Sequence, residues 1–224
     1  MLVSGHMAET ISVFDAQSPF KTFPYDRKEF YDEQIHEYKE SGTPSKGCEI
    51  ANVFLFTPQG DFYIQKRSAD KRHNPDLLDK TVGGHIVFGD TPGYTVMVET
   101  VQEMQTPSVV IDSVDQFIKT YHLLGSYLET VAVIQYFDVQ LFYLKKIIDG
   151  EEITIANKSH IFFGVYEGKT RPVDRESKGV LLYSFSEIEK EIEKSPEQFT
   201  HDFIFYFERY KSDIKNFLDL IKKP

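Results

Sequence analysis

The chain has one cysteine, no tryptophan and no apolar run long enough for a bilayer. Each scarcity excludes something. A lone thiol, Cys48, forbids an internal disulfide and fits a reducing, cytoplasmic setting. The most apolar stretch, 131–144, is interrupted by Gln135, Asp138 and Gln140. It falls short of the roughly 18 apolar residues that a membrane span needs. Positive charge is also short: 25 Lys and Arg stand against 35 Asp and Glu, a net charge of −10. That deficit argues against a general nucleic-acid or anionic-membrane surface, because phosphate backbones require a basic footprint. It leaves room for a local basic pocket that holds a small phosphorylated ligand.

Aromatic side chains are abundant, with 13 Tyr and 19 Phe. Such a chain can bury enough apolar surface to fold, so disorder is excluded for most of its length. The first residues, Met1-Leu2-Val3-Ser4-Gly5-His6-Met7, read as a tag remnant before a native start at Met7. Residues 8–224 show no repeat, low-complexity tract or linker and are expected to form one domain.

Periodicity and turn signals predict the elements. Residues 8–26, with Pro19 and Pro24, read as an irregular arm. Arg27 to Lys39 carries Phe30, Tyr31, Ile35 and Tyr38 at helical spacing, and Ser41-Gly42-Thr43-Pro44 stops it. A hairpin is expected from strands 51–57 and 62–67 around Pro58-Gln59-Gly60-Asp61, then a polar loop over 68–79. Strand 81–88 contains Gly83-Gly84, a sign of close backbone approach. Thr91 can N-cap a helix that starts at Pro92, runs to Met104 and is closed by Thr106-Pro107. Further strands are expected at 123–128, 130–136, 139–146, 160–166 and 179–185. A short helix is expected over 186–194 and one long amphipathic helix over 200–222, whose stripe of Phe203, Phe207, Tyr210, Ile214, Phe217 and Ile221 reads as core packing, against this chain or a second copy. The whole implies a mixed α/β (α+β) fold, a mixed sheet between helices.

The chemistry lies in 83–107, GGHIVFGDTPGYTVMVETVQEMQTP. Glu99 and Glu103 are four apart, so they share one helical face, and Gln102 lies beside them. Like charges at this spacing repel by roughly 0.2–0.5 kcal/mol, which a solvated surface tolerates. A divalent cation would put the pair to use, since Mg²⁺ takes one or two carboxylates and completes its shell with substrate phosphates and water.

The order of residues resembles the Nudix box. In that family a glycine is followed after five residues by an acid, and seven residues later by Arg-Glu-aliphatic-any-Glu-Glu-any-Gly-aliphatic. The gap-free match starts at Gly84 and places Asp90 at the acid. Val98 stands in place of the Arg, Glu99 at the first helix Glu, and Thr100 at the aliphatic position. Gln102 stands in place of the second Glu, Glu103 at the third, and Gln105 in place of the Gly. Arg67-Ser68-Ala69-Asp70-Lys71, Asp79–His85 and Pro196–Thr200 extend the likeness towards the isopentenyl-diphosphate isomerase branch. That branch uses a thiol where this chain has Gly83 and a Glu-x-Glu pair where it has Lys158-Ser159-His160, so isomerisation is not expected.

The resemblance implies a Nudix fold with a long C-terminal helix and a Mg²⁺- or Mn²⁺-dependent pyrophosphohydrolase acting on a nucleoside diphosphate derivative. Glu99 and Glu103 would be catalytic metal ligands, helped by Asp90 and Gln102. Arg67, Lys71, Gly84 and His85 would hold the diphosphate, with Lys66 as a weaker candidate, and Glu176 stands before a late strand where Nudix proteins sometimes place an extra acid. The alternative is a catalytically weak or inactive Nudix-fold nucleotide- or diphosphate-binding protein, because three box positions have changed. No nucleic-acid or membrane partner is expected, and a homodimer is left open.

Overall fold

The computed structural model describes residues 9–170 and 177–222. The expected tag remnant and Glu176 lie outside them. Among the described residues, ten strands form one mixed sheet with the central order β10-β4-β3-β9-β8-β7. The chain runs β1 (Thr10–Asp15), β2 (Ser18–Asp26), α1 (Arg27–Ser41), β3 (Lys46–Phe56), β4 (Phe62–Arg67), β5 (Leu78–Asp79) and β6 (Val82–His85). Then follow α2 (Pro92–Met104), β7 (Ser108–Ile111), α3 (Val114–Leu123), β8 (Ala132–Ile148), β9 (Glu151–Val165) and β10 (Ser177–Tyr183). Helices α4 (Phe185–Lys194), α5 (His201–Arg209) and α6 (Lys211–Ile221) close the chain. The mixed α+β architecture is the one expected, and no described helix is long and apolar enough to cross a membrane.

Strand β3 organises the rest. It pairs in parallel with β9 along Gly47–Phe56, and its other edge holds β1 over Val13–Asp15 and β6 over Val82–His85. Alternation along β3 divides the sheet into two faces. Ala51, Val53 and Leu55 pack with Val96 and Met104 of α2. On the opposite face, Cys48 and Ile50 pack with Phe30 and Tyr31 of α1. On that face too, Phe54 and Phe56 pack with Phe203, Phe207, Ile214, Phe217 and Ile221 of α5 and α6.

Several expectations change. The arm expected over 8–26 is, over Thr10–Asp26, a hairpin, β1–β2, and Pro24 is tolerated because β2 pairs with β1 alone. The strand expected at 123–128 is the end of α3 followed by a 3₁₀ turn at Gly125–Tyr127. Ser113 caps α3 by accepting from Gln116 N (3.2 Å). The strands expected at 130–136 and 139–146 are one strand, β8, whose register slips between Tyr136 and Asp138. A bulge carries the strand through the polar break there. The single long C-terminal helix is two helices broken at Tyr210, which is buried and donates to Asp138 Oδ2 at 2.9 Å. All six residues of the expected stripe are core in this chain.

Candidate active site

The segment from β6 to α2 is built as the sequence implies. Thr91 accepts from Tyr94 N (3.2 Å) and caps α2, with Pro92 in its first turn. Gln105 ends the helix in the left-handed conformation (φ 54°), and its N–H donates to Val101 O and Thr100 O. A glutamine therefore takes the αL role for which glycine is preferred, one turn position before the Thr106-Pro107 stop expected. Buried Thr100 bonds back to Val96 O (2.9 Å) and across to Ser108 Oγ (2.8 Å), tying α2 to β7.

Helix α2 presents Glu99, Gln102 and Glu103 to a cavity of about 660 Å³ that wraps around β6. Gly84 pairs with Ala51, so its missing side chain faces α2. A Cβ on Gly84 would stand 2.7 Å from Glu99 Cγ, so the glutamate lies across the bare strand. Glu103 is buried, and its Oε2 accepts from Gln65 Nε2 at 3.3 Å. Among the described residues no three His, Cys, Asp or Glu are placed to hold a metal together. The donor set is thus two carboxylates and the Gln102 amide. It fits a hard cation whose remaining ligands are phosphate oxygens and water.

The other expected residues divide. Arg67, Lys71 and His85 line the cavity. The Arg67 guanidinium bonds Asp79 Oδ2 (3.0 Å), His73 O (2.8 Å) and Asn74 O (3.1 Å), so it pins the 68–79 loop in place. Asp90 is exposed in the turn before α2 and does not line the cavity; its backbone N–H donates to Val87 O (3.0 Å). Lys66 bonds Asp76 O and lies outside the cavity. Alternation turns His85 to the face opposite Glu99, where its Nε2 is 2.6 Å from the Tyr31 hydroxyl. Burial, then the nearby Arg27 charge, holds the His85 imidazole well below its ordinary pKa, while burial raises the Tyr31 phenol. Cys48 is fully buried, donates to Asn157 Oδ1 (3.5 Å), and has its thiol pKa raised by burial; it is a packing residue.

That far face carries polar groups that sequence reasoning did not assemble. Lys80 Nζ bonds Asp79 Oδ1 (3.1 Å) and Asp202 Oδ2 (3.2 Å), and Thr200 Oγ1 donates to Asp79 Oδ1 (3.1 Å). Burial opposes the charge on Lys80, yet Asp202 and Asp79 together raise its pKa. Burial likewise opposes the Asp202 carboxylate, and the Lys80 and Lys146 charges outweigh it, lowering its pKa. The pKa of Lys146 is lowered by burial despite the pull of Asp202. One signal was visible: Lys146 falls between Leu144 and Ile148 on the apolar alternation of β8.

Solved structures share this fold. The Deinococcus radiodurans protein DR0079 superposes with a TM-score of 0.50 at 16% identity, over 72% of this chain and 82% of its own. A bifunctional NMN adenylyltransferase/ADP ribose pyrophosphatase from Francisella tularensis, solved with AMP and a Mn ion, gives 0.49 at 11% identity. That alignment covers 84% of this chain, which spans only 47% of the bifunctional protein. A NUDIX-family hydrolase from Clostridium perfringens gives 0.44 at 15% identity, over 78% of this chain and 97% of its own. No family model matches the sequence, and neither does any curated protein. The likeness is one of fold alone: the chain shares the mixed α+β fold of DR0079.

Proposed function

We propose that the protein is a Nudix-type hydrolase that cleaves the diphosphate linkage of a nucleoside diphosphate derivative with Mg²⁺ or Mn²⁺. The observation that carries this reading is the seating of Glu99 against Gly84, with Glu103 one helical turn on, both lining a cavity that Lys71 also reaches. Glu99, Glu103 and the Gln102 amide would hold the cation. When bound, it would neutralise charge on the phosphate oxygens and lower the pKa of a coordinated water. The chain's own groups supply the remainder. Gln65 keeps Glu103 oriented through its amide (3.3 Å). Arg67 fixes the loop that carries Lys71 and so places an ammonium at the cavity. Glu99, half-buried beside a bare strand, is the candidate to accept the proton of the attacking water.

A second reading, a Nudix-fold protein that binds a diphosphate without cutting it, is favoured by one observation: only two carboxylates line the cavity from α2, with Val98 and Gln102 where the resemblance implies Arg and Glu. A panel of nucleoside diphosphate derivatives, incubated with Mg²⁺ or Mn²⁺ and followed by chromatography for the nucleoside monophosphate and the phosphorylated second moiety, separates the two. Hydrolysis that falls at least a hundredfold in Glu103→Gln supports the hydrolase. Equal turnover in the variant, or metal-independent thermal stabilisation without turnover, sinks it.

A further inference from the structure

On the α1 and α5 side of the sheet, across β6 from Glu99, the cavity is lined by groups whose polarity the protein does not satisfy. Asn52 lies in the centre of β3 with 0% exposure, and neither its Nδ2 nor its Oδ1 has a hydrogen-bond partner among the described residues. Asp202, 3% exposed, leaves Oδ1 without a partner while Oδ2 binds Lys80. The ammonium of Lys146, 7% exposed, makes no hydrogen bond or ion pair with the described residues. All three line the cavity. They share one place because of register: Asn52 pairs with Gly83, whose missing Cβ leaves room for the Lys80 stem at 2.9 Å, and alternation puts Asn52 on the face of Ile50 and Phe54. Lys146 shares its face of β8 with Leu144 and Ile148, one in each of the two apolar clusters on this side. The polar groups therefore fill a seam between two dry cores.

Buried polar atoms without partners are rare because each forfeits its hydration, and several converging on one cavity mark a place where something else supplies the bonds. We propose that this seam is a binding site, separate from the Glu99/Glu103 pair, for a small anion that also carries hydroxyl groups. The charge balance sets the anion. Arg27 is matched by Glu9, Arg67 by Asp79 and Lys80 by Asp202, which leaves Lys146 as the cation on this side without an ion pair among the described residues. The donor and acceptor set supplies the hydroxyls. A bare anion can use the Lys146 ammonium and Asn52 Nδ2, but it would leave Asn52 Oδ1 and Asp202 Oδ1 facing an acceptor. Hydroxyl groups donate to both oxygens. Neutral polyols fail the other way, since they leave Lys146 without a counter-charge.

Isothermal titration tests the assignment with five probes. D-gluconate and D-ribose 5-phosphate carry both features, acetate and sulfate only the charge, and D-ribose only the hydroxyls. At least one of the first two binds tenfold or more tightly than its charge-only counterpart and than ribose. Lys146→Met and Asn52→Leu each weaken that binding at least tenfold. Both are volume-conserving changes that remove an unpartnered group, and Lys146→Arg, which keeps the charge, retains part of the affinity. Binding persists in Glu99→Gln/Glu103→Gln and in the presence of a chelator, so a failed hydrolase reading leaves it standing. The proposal is overturned if the hydroxylated anions bind no better than the controls, if Lys146→Met and Asn52→Leu bind as the wild type does, or if the double glutamate variant abolishes binding.

Discussion

Glu99 crosses β6 at Gly84, with its Cγ 2.7 Å from where a Cβ on that glycine would stand. A side chain at position 84 would displace Glu99. Alanine at position 84 meets a flexible side chain rather than backbone, so the fold survives and the carboxylate is displaced. Gly84→Ala is expected to cost about 1 kcal/mol or less in urea unfolding. Misplacing a reacting group by about 1 Å costs on the order of a hundredfold in rate, and metal-dependent hydrolysis should fall accordingly. Wild-type turnover in Gly84→Ala would show that Glu99 does not act where it sits.

Gln105 offers a local test of the helix end. Its φ of 54° places a Cβ in a region that costs an L-residue about 1–2 kcal/mol. Gln105→Gly removes that strain and adds unfolded-state entropy, so the net expectation is a stabilisation of about 0.5–1 kcal/mol. Chemical denaturation reads it directly. A loss of stability would mean that the exposed Gln105 side chain makes a contribution its conformation does not reveal.

Much of the strand–turn–helix unit was legible in the sequence because its signals are local. Thr91-Pro92 fixes the start of α2, and the Glu99/Glu103 spacing fixes their common face. What escaped reading depends on pairing between distant segments. Residues 10–26 have little alternation of their own and become strands because β1 has both β2 and β3 to bond. Asp138 and Gln140 look like a break in an apolar run, and the bulge at 136–138 absorbs it. His85 follows Gly84 directly, but a strand sends neighbours to opposite faces, so His85 lines the cavity from the Tyr31 side and Gly84 faces Glu99. The Asn52, Lys146 and Asp202 seam joins three segments far apart in the chain, and its one local signal is Lys146 on the apolar alternation of β8.

Acid should destabilise the fold well above the carboxylate range. Burial, with the charges of Lys146 and Arg27 behind it, lowers His73 from 6.5 to about 2, and it lowers His85 as well. Below pH 6.5 the unfolded chain takes up protons that the folded imidazoles refuse. Stability is therefore level above that pH and declines as pH falls towards the folded values. One pH unit below 6.5, each histidine contributes a loss of about 1.4 kcal/mol. Urea unfolding at pH 7.5 and 5.5 measures the drop, and His85→Asn should remove about half of it. A stability that does not change between these pH values would mean that both rings are protonated in the folded state.

Asp202 and Lys146 should respond to removal with opposite signs. Asp202 Oδ2 holds the buried Lys80 ammonium at 3.2 Å, and its charge also stabilises that of Lys146. Asp202→Asn leaves two buried cations facing Asp79 and Arg67, and breaking a buried pair in this way costs about 3–5 kcal/mol. Lys146 has no ion pair of its own, so Lys146→Met exchanges an unpartnered ammonium for an apolar chain of similar length. Such exchanges are neutral or stabilise by about 1–4 kcal/mol. The two changes share a field, so they should not add. With Lys146 already neutral, Asp202→Asn strands one cation instead of two, and the double variant should be more stable than the sum of the single changes predicts. A double-mutant cycle in urea gives this coupling term, of about 0.5–3 kcal/mol for groups in one network. Strict additivity would separate Lys146 electrostatically from Asp202 and remove the physical basis for treating the two as one polar seam.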